Sequence, residues 1–277
     1  KVFVENIGEI SIDEGATLED ISNLVYKNDY KKYLGAKIEN EVFHLKTVAK
    51  DGEKIKFIDI TDIDGHRIYT RTLGLIYVTA CEEIFPGYNA NIEHSLGEGF
   101  YTELSNKRTI SFSEIEKIKE RMWEIVKADI PIERKRIKRI DALKIFEEKG
   151  YEDKVRLYTH VEKDEIHVYK ILEHIDTFYG YVAPSTGYIK NFDLKYYYPG
   201  AILLSPNQKS QAEIPEFVEQ RKLAKVFKEA EDWANILDLG YLGSLNDKII
   251  NGSIDEVVRV SEALHEKKIA SFADDIC

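Results

Sequence analysis

The first sixty residues place the tightest constraint on the fold. Thr17 opens a T-x-x-D pattern with Asp20, and Leu18, Ile21, Leu24 and Val25 follow at helical spacing. A capped amphipathic helix is therefore predicted from there to about Leu34. Short strand-type stretches flank it. VFV and EISI surround a turn near Asn6-Ile7-Gly8, and AKIENEVFHL and KIKFIDI surround Asp51-Gly52. A β-β-α-β-β order in so short a span fits a single helix packed across a small mixed sheet.

That arrangement is a ubiquitin-like β-grasp. Beyond it, Asp64-Gly65 reads as a turn into HRIYT, and TLGLIYVTACEEI (72–84) as a buried helix ended by Phe85-Pro86-Gly87. NANIEHSLGEGFYTEL reads as two strands joined by a glycine-spaced loop. Ser113 and Glu116 match a capping box, with Ile115, Ile118, Met122, Ile125 and Val126 lining the helix that follows. A short helix near 141–149 ends at Gly150. VRLYTHV, EIHVYKIL, TFYGYV and YIKNFDLKYYY then read as strands of a largely antiparallel sheet. Pro206, Pro215 and the polar SPNQKSQAE stretch mark a linker. A helix over about Pro215–Leu237 and two more, with Ser244 and Ser253 as N-caps, complete the chain. The fold class is α+β with a helical tail, divided at residues 1–62, 63–206 and 207–277.

Bulk properties exclude several functions. The net charge of −11 argues against a generally basic nucleic-acid binder. Two distant cysteines, Cys81 and Cys277, exclude a disulfide framework and suit a reducing cytoplasm. Neither a membrane span nor a signal peptide is evident, so a cytoplasmic location is expected.

Residues 8–60, GEISIDEGATLEDISNLVYKNDYKKYLGAKIENEVFHLKTVAKDGEKIKFIDI, resemble a TGS domain, the β-grasp module of threonyl-tRNA synthetases, stringent-response synthetases and certain GTPases. Residues 71–192 resemble the editing-type second domain of threonyl- and alanyl-tRNA synthetases. The pieces that carry this are ACEEIFPGYNANIEHSLGEGFYTEL, FSEIEKIKERMWEIVKADIPIERKRI and APSTGYIKNFDL, in the family's order. In those domains HxxxH on a helix and CxxxH in a later loop hold Zn²⁺ or activate water. The resemblance puts these positions at Arg71, Leu75, Phe178 and Val182. None of the four is a metal ligand or base, so no catalytic residue and no metal is expected here.

The whole layout resembles the N-terminal part of bacterial uridine-kinase-like nucleoside kinases, through HSLGEGFY (94–101), YGYVAPSTGY (179–188) and EALHEKKIA (262–270). That resemblance implies a regulatory or ligand-sensing region. Its partner would be a C-terminal P-loop kinase domain that uses ATP and Mg²⁺. No G-x-x-x-x-G-K-[ST] occurs in these residues, so phosphoryl transfer would belong to that further domain. The alternatives are an aminoacyl-tRNA deacylase-like hydrolase and a TGS module that binds RNA or a ribosome-associated partner.

The candidate ligand pocket comprises Arg71, His94, Ser95, Gly97, Gly99, Tyr101, Tyr179, Tyr181, Ser185, Thr186 and Lys190. Aromatic walls with a few polar groups suit a small molecule or nucleotide. The same glycines also suit an ordinary turn. Arg71 would bind an anion there or pair with a carboxylate such as Glu98. The basic island Arg134, Lys135, Arg136, Lys138 and Arg139 is a candidate RNA contact, or a charged strand edge. His160 and His167 face each other on the expected hairpin, without further ligands to make a metal pair. Of Tyr196-Tyr197-Tyr198, at most two share one face of a strand.

Overall fold

The computed structural model describes residues 1–209 and 213–276, so Cys277 and part of the expected linker lie outside the described residues. The chain is α+β, with antiparallel pairing prevailing in its sheets. In chain order it forms β1 (Val2–Val4), β2 (Gly8–Ile10), α1 (Leu18–Tyr26), β3 (Gly35–Ile38), β4 (Glu41–Phe43), β5 (Lys54–Ile58) and α2 (Ile63–Ile84). Next come β6 (Ala90–Leu96), β7 (Gly99–Leu104), α3 (Phe112–Lys127), β8 (Glu133–Lys138), α4 (Arg139–Glu148) and α5 (Glu152–Thr159). They are followed by β9 (Glu165–Ile171), β10 (His174–Asp176), β11 (Asp193–Tyr197), β12 (Gly200–Leu204), α6 (Arg221–Ile236), α7 (Leu242–Ile250) and α8 (Ile254–Ile276). Residues 1–135 and 167–219 make one unit, and 136–166 with 220–277 make a second. Residues 1–62 and most of 63–206 thus share a unit, while 136–166 group with the helical tail.

In the first unit, five strands run in the order β2-β1-β5-β3-β4. β1 and β5 are parallel, with Val4 opposite Ile55; the other pairs are antiparallel. Thr17 and Asp20 form the expected reciprocal cap, and α1 contributes Leu18 and Ile21 to a core that includes Val4, Ala36 and Ile55. α1 stops at Tyr26, short of Leu34. KNDYKK carries no apolar stripe to pack, and the chain tightens into 3₁₀ turns through Lys32.

α2 begins nine residues before the expected Thr72, at Ile63, where the Asp62 carboxylate caps the Asp64 N–H. Asp64-Gly65 is therefore not a turn. Gly65 is required for packing instead, because a Cβ there would lie 1.9 Å from the Asp59 carbonyl oxygen. α2 is buried nearly all round, through Tyr69, Leu73, Leu75, Ile76, Tyr77 and Cys81. Burial pushes the Cys81 thiol up to about 12, which suits a core residue.

The second sheet of this unit runs β11-β12-β7-β6, and α3 packs on α2 and β11. The α3 capping box uses Ser111 and Glu114, two residues before the expected Ser113 and Glu116. Arg108 supplies the difference: its ion pair with Glu114, reinforced by Ser111, holds that carboxyl at about 2. TFYGYV is not a strand. β10 ends its pairing with β9 at Asp176, and residues 177–192 form a loop with one 3₁₀ turn at Thr186–Tyr188.

In the second unit, VRLYTHV belongs to a helix rather than a strand. Tyr158 of α5 packs 5.8 Å from the Phe146 ring of α4, so tertiary burial overrides the β-branched residues. His160 therefore caps the end of α5 and bonds Asp247, and no hairpin opposes it to His167. Ser244 lies inside α7, not before it, and accepts from Arg156 at 2.7 Å. Gly243 permits that approach, since a Cβ would lie 2.6 Å from Arg156 Cβ. α6 starts at Arg221 rather than near Pro215.

Candidate functional site

The loop after β10 is held against α2 by two hydroxyls. Thr72 Oγ1 accepts the Ala183 N–H at 2.8 Å in a buried contact. Tyr69 Oη accepts the N–H groups of Lys190 and Asn191 at 3.1 and 2.9 Å and donates to the Asn191 carbonyl at 2.6 Å. The Pro-Ser-Thr-Gly turn is fastened from the other side. Thr186 Oγ1 donates to the Ile125 carbonyl at 2.7 Å and accepts the Ile130 N–H at 2.8 Å. Asp129 accepts from Ser185 Oγ and from the Gly187 N–H, and pairs with Lys31. These side-chain bonds add to a single antiparallel bridge between Pro131 and Ser185, the loop's short stretch of backbone pairing.

This clamping brings the four expected hydrolytic positions onto one stretch of α2 and its facing loop. Leu75 and Val182 are fully buried in the hydrophobic core. The Phe178 ring lies 5.8 Å from that of Tyr169. Arg71 is half-buried, with a guanidinium nitrogen 3.5 Å from the Tyr181 carbonyl. Its pKa is lowered, first by burial and then by Arg67. It does not pair with Glu98, which accepts from Asn207 instead. Gly180 sits at φ +141°, and a Cβ there would lie 2.6 Å from the Arg71 guanidinium. Nothing in this group can take a proton from water.

Beside it opens a polar cleft of ≈ 990 Å³ whose lining includes Glu19, Lys31, His44, Asp129, Arg134 and Ser185. His44 is 4% exposed. Its Nδ1 accepts the Lys46 N–H at 3.1 Å, which puts the proton of the neutral ring on Nε2. That Nε2 leans toward the Val182 carbonyl without reaching hydrogen-bonding geometry. Burial, then the charge of Arg134, depress this histidine to about 4. The His44 ring lies 5.7 Å from Tyr181, and the Arg134 guanidinium sits 5.1 Å over the same ring.

The remaining candidates separate into different surroundings. Ser185 and Thr186 are consumed by the turn anchors, with Thr186 fully buried. Lys190 Nζ donates to the Gly187 carbonyl and borders a second cavity of ≈ 400 Å³ that includes Tyr69 and Tyr188. Burial, then Lys31, lower its pKa. His94 and Ser95 are successive residues of β6, and His94 Nδ1 contacts the Ser95 carbonyl rather than its hydroxyl. The His94 ring lies 5.3 Å from Tyr101, which itself meets Tyr197 and donates to Glu103. Gly97 supplies φ +60° in the β6–β7 turn. Gly99 makes room for Ile202, whose Cγ2 would lie 2.5 Å from an added Cβ. Tyr179 is 80% exposed.

The basic island is divided as well. Lys135 pairs with Glu133 and Arg136 with Glu165; Arg139 donates to the Tyr158 carbonyl, and Lys138 is exposed. Arg134 and Lys135 line the cleft, and of the two only Lys135 has a carboxylate partner among the described residues. His44, Tyr169 and Asp129 carry no motif and were not legible as site residues; a lone histidine in FHL is the nearest thing to a signal. Among the described residues, no group of three His, Cys, Asp or Glu side chains could hold a metal ion. Nor is any described helix long and apolar enough to cross a membrane.

No family model matches the chain. It is similar to the threonine–tRNA ligase of Carboxydothermus hydrogenoformans, at 30% identity over 182 residues, 65% of this chain and 29% of the ligase. The threonine–tRNA ligase of Clostridium kluyveri is 29% identical over 191 residues, 69% of this chain and 30% of the ligase. That of Thermotoga petrophila is 28% identical over 197 residues, 70% and 30% respectively. The chain spans about 30% of the length of these relatives.

Proposed function

We propose that the first unit is a synthetase-type recognition region that holds a tRNA-derived or other RNA ligand without hydrolysing it. One observation carries this reading: of Arg71, Leu75, Phe178 and Val182, the positions the resemblance assigns to an editing centre's ligands and base, none is such a group and two are sealed in hydrocarbon. Water bound there has no group to accept its proton. The threonine–tRNA ligase relatives support a tRNA-related role. The sheet order around a single helix supports a TGS-type β-grasp, and the second sheet with α2 and α3 supports an editing-type domain beside it. A deacylase would need a different catalytic pair. His94 and Ser95 do not supply one, because successive strand residues point to opposite faces.

The test combines filter binding and deacylation with mischarged aminoacyl-tRNA. Binding that weakens as salt rises, with hydrolysis at the buffer rate, is the expected result. Absence of binding at low salt would sink the recognition reading. Hydrolysis abolished by His94→Ala would replace it with a hydrolase.

A second reading makes this the regulatory part of a P-loop nucleoside kinase. EALHEKKIA lies within α8, which buries none of its residues and exposes Val258, Ile269 and Phe272. That apolar surface supports docking of a further domain, where ATP and Mg²⁺ would act. Reading the source gene past codon 277 for G-x-x-x-x-G-K-[ST] tests it.

A further inference from the structure

Five arginines occur in the first unit: Arg67, Arg71, Arg108, Arg121 and Arg134. Arg67 pairs with Asp64, Arg108 with Glu114, and Arg121 with Glu83 and Glu124. Among the described residues, Arg71 and Arg134 have no carboxylate within 4.0 Å. In a chain carrying 50 acidic side chains against 39 basic ones, two unpaired guanidiniums in one neighbourhood need a reason. Both converge on Tyr181, Arg71 through its carbonyl at 3.5 Å and Arg134 over its ring at 5.1 Å.

The surroundings hold them there. Tyr169 Oη donates to the Gly180 carbonyl at 2.8 Å and feels the charges of Arg134 and Arg71, so the phenol ties the loop down beside both guanidiniums. Gly180 leaves space that any side chain would take from Arg71. Neutral His44 lies 5.7 Å from the Tyr181 ring and adds no competing carboxylate. Arg134 is exposed and Arg71 half-buried, so a ligand reaches one freely and the other at the loop's edge. Tyr179, one residue from Gly180, presents an open ring to solvent.

We infer that Arg71 and Arg134 form an anion site for the phosphate monoester of a nucleotide, with the Tyr179 ring available to stack on the base. Paired guanidinium forks match phosphate oxygens, and aromatic faces accept any base. The inference goes beyond RNA recognition, because a mononucleotide alone satisfies it.

Calorimetric titration of the full chain tests it, with inorganic phosphate, AMP, UMP and unphosphorylated adenosine as probes. Phosphate binds, both monophosphates bind more tightly, and adenosine binds poorly or not at all. Arg71→Gln and Arg134→Gln each weaken binding roughly 10–100-fold, the loss expected for a charge-assisted hydrogen-bonding partner. Arg67→Gln, one turn earlier on α2, leaves it unchanged. Arg134 is at an exposed strand position, so its variant remains informative should Arg71→Gln fold poorly. Absence of phosphate and monophosphate binding overturns the inference, as does binding indifferent to Arg134→Gln. If AMP and UMP bind no better than inorganic phosphate, the nucleotide assignment falls. tRNA binding without phosphate binding defeats this site alone; phosphate binding without tRNA binding defeats the RNA reading alone.

Discussion

Acidification should destabilise the first unit through His44, and the size of the effect follows from its burial. The neutral ring is 4% exposed, with Nδ1 committed to the Lys46 N–H and Arg134 nearby. Unfolded, the same side chain titrates at 6.5, whereas in the fold it titrates at about 4. The unfolded state therefore binds more protons between these values, and stability falls as pH drops from 6.5 toward 4. At about 1.4 kcal/mol per pH unit, the interval gives about 3 kcal/mol lost between pH 7 and pH 4, roughly two thirds of it by pH 5. The carboxylates titrate over the same range, so the assay must isolate this residue. Urea unfolding of the wild type and His44→Asn does so, because Asn keeps an acceptor at the Nδ1 position but does not titrate. The stability gap between the two proteins should shrink by about 3 kcal/mol from pH 7 to pH 4. A gap that stays constant over that range, or an imidazole NMR titration midpoint near 6.5, refutes the reasoning.

Other perturbations probe the same architecture. Gly180→Ala forces a side chain into φ +141° against Arg71 and should cost about 1–3 kcal/mol in urea unfolding, with a matching loss of phosphate binding. Thr186→Val removes the partners of the half-buried Ile130 N–H and the buried Ile125 carbonyl, and should lower stability by about 1–3 kcal/mol. For His174, burial opposes charging, but the carboxylates of Asp176, 3.6 Å from Nε2, and Glu82, 2.8 Å from Nδ1, outweigh it and raise the pKa. Its stabilisation is thus complete below 6.5 and lost as pH rises through the raised value. The gap between wild type and His174→Asn should be widest below pH 6.5 and narrow as pH rises through the raised value. In the second unit, Gly243→Ala should drive α5 and α7 apart and reduce the thermal midpoint of the helical unit, by calorimetry.

Periodicity and capping chemistry are local, and they were legible. Thr17-x-x-Asp20 set the start of α1, and the alternation around it gave the flanking strands. The apolar spacing from Ile115 to Val126 gave α3. Ser111 outcompeted Ser113 as its cap because Arg108 approaches Glu114, a contact outside the motif. VRLYTHV has the composition of a strand, but Tyr158 gains more by packing on Phe146. Arg71, Phe178 and Tyr181 were singled out from a resemblance, which also indicated what the site lacks. What the site has instead came from tertiary structure. His44 and Tyr169 come from distant parts of the chain, and no short-range pattern marks them; Arg134 was marked only as one of a basic run, and their meeting depends on Thr72, Tyr69 and Asp129 clamping a loop. Sequence alone determined the elements whose capping and amphipathicity act within a few residues, such as α1 and α3. The pairing of two guanidiniums around one tyrosine was decided only when the chain closed on itself, because charge and burial depend on neighbours in space.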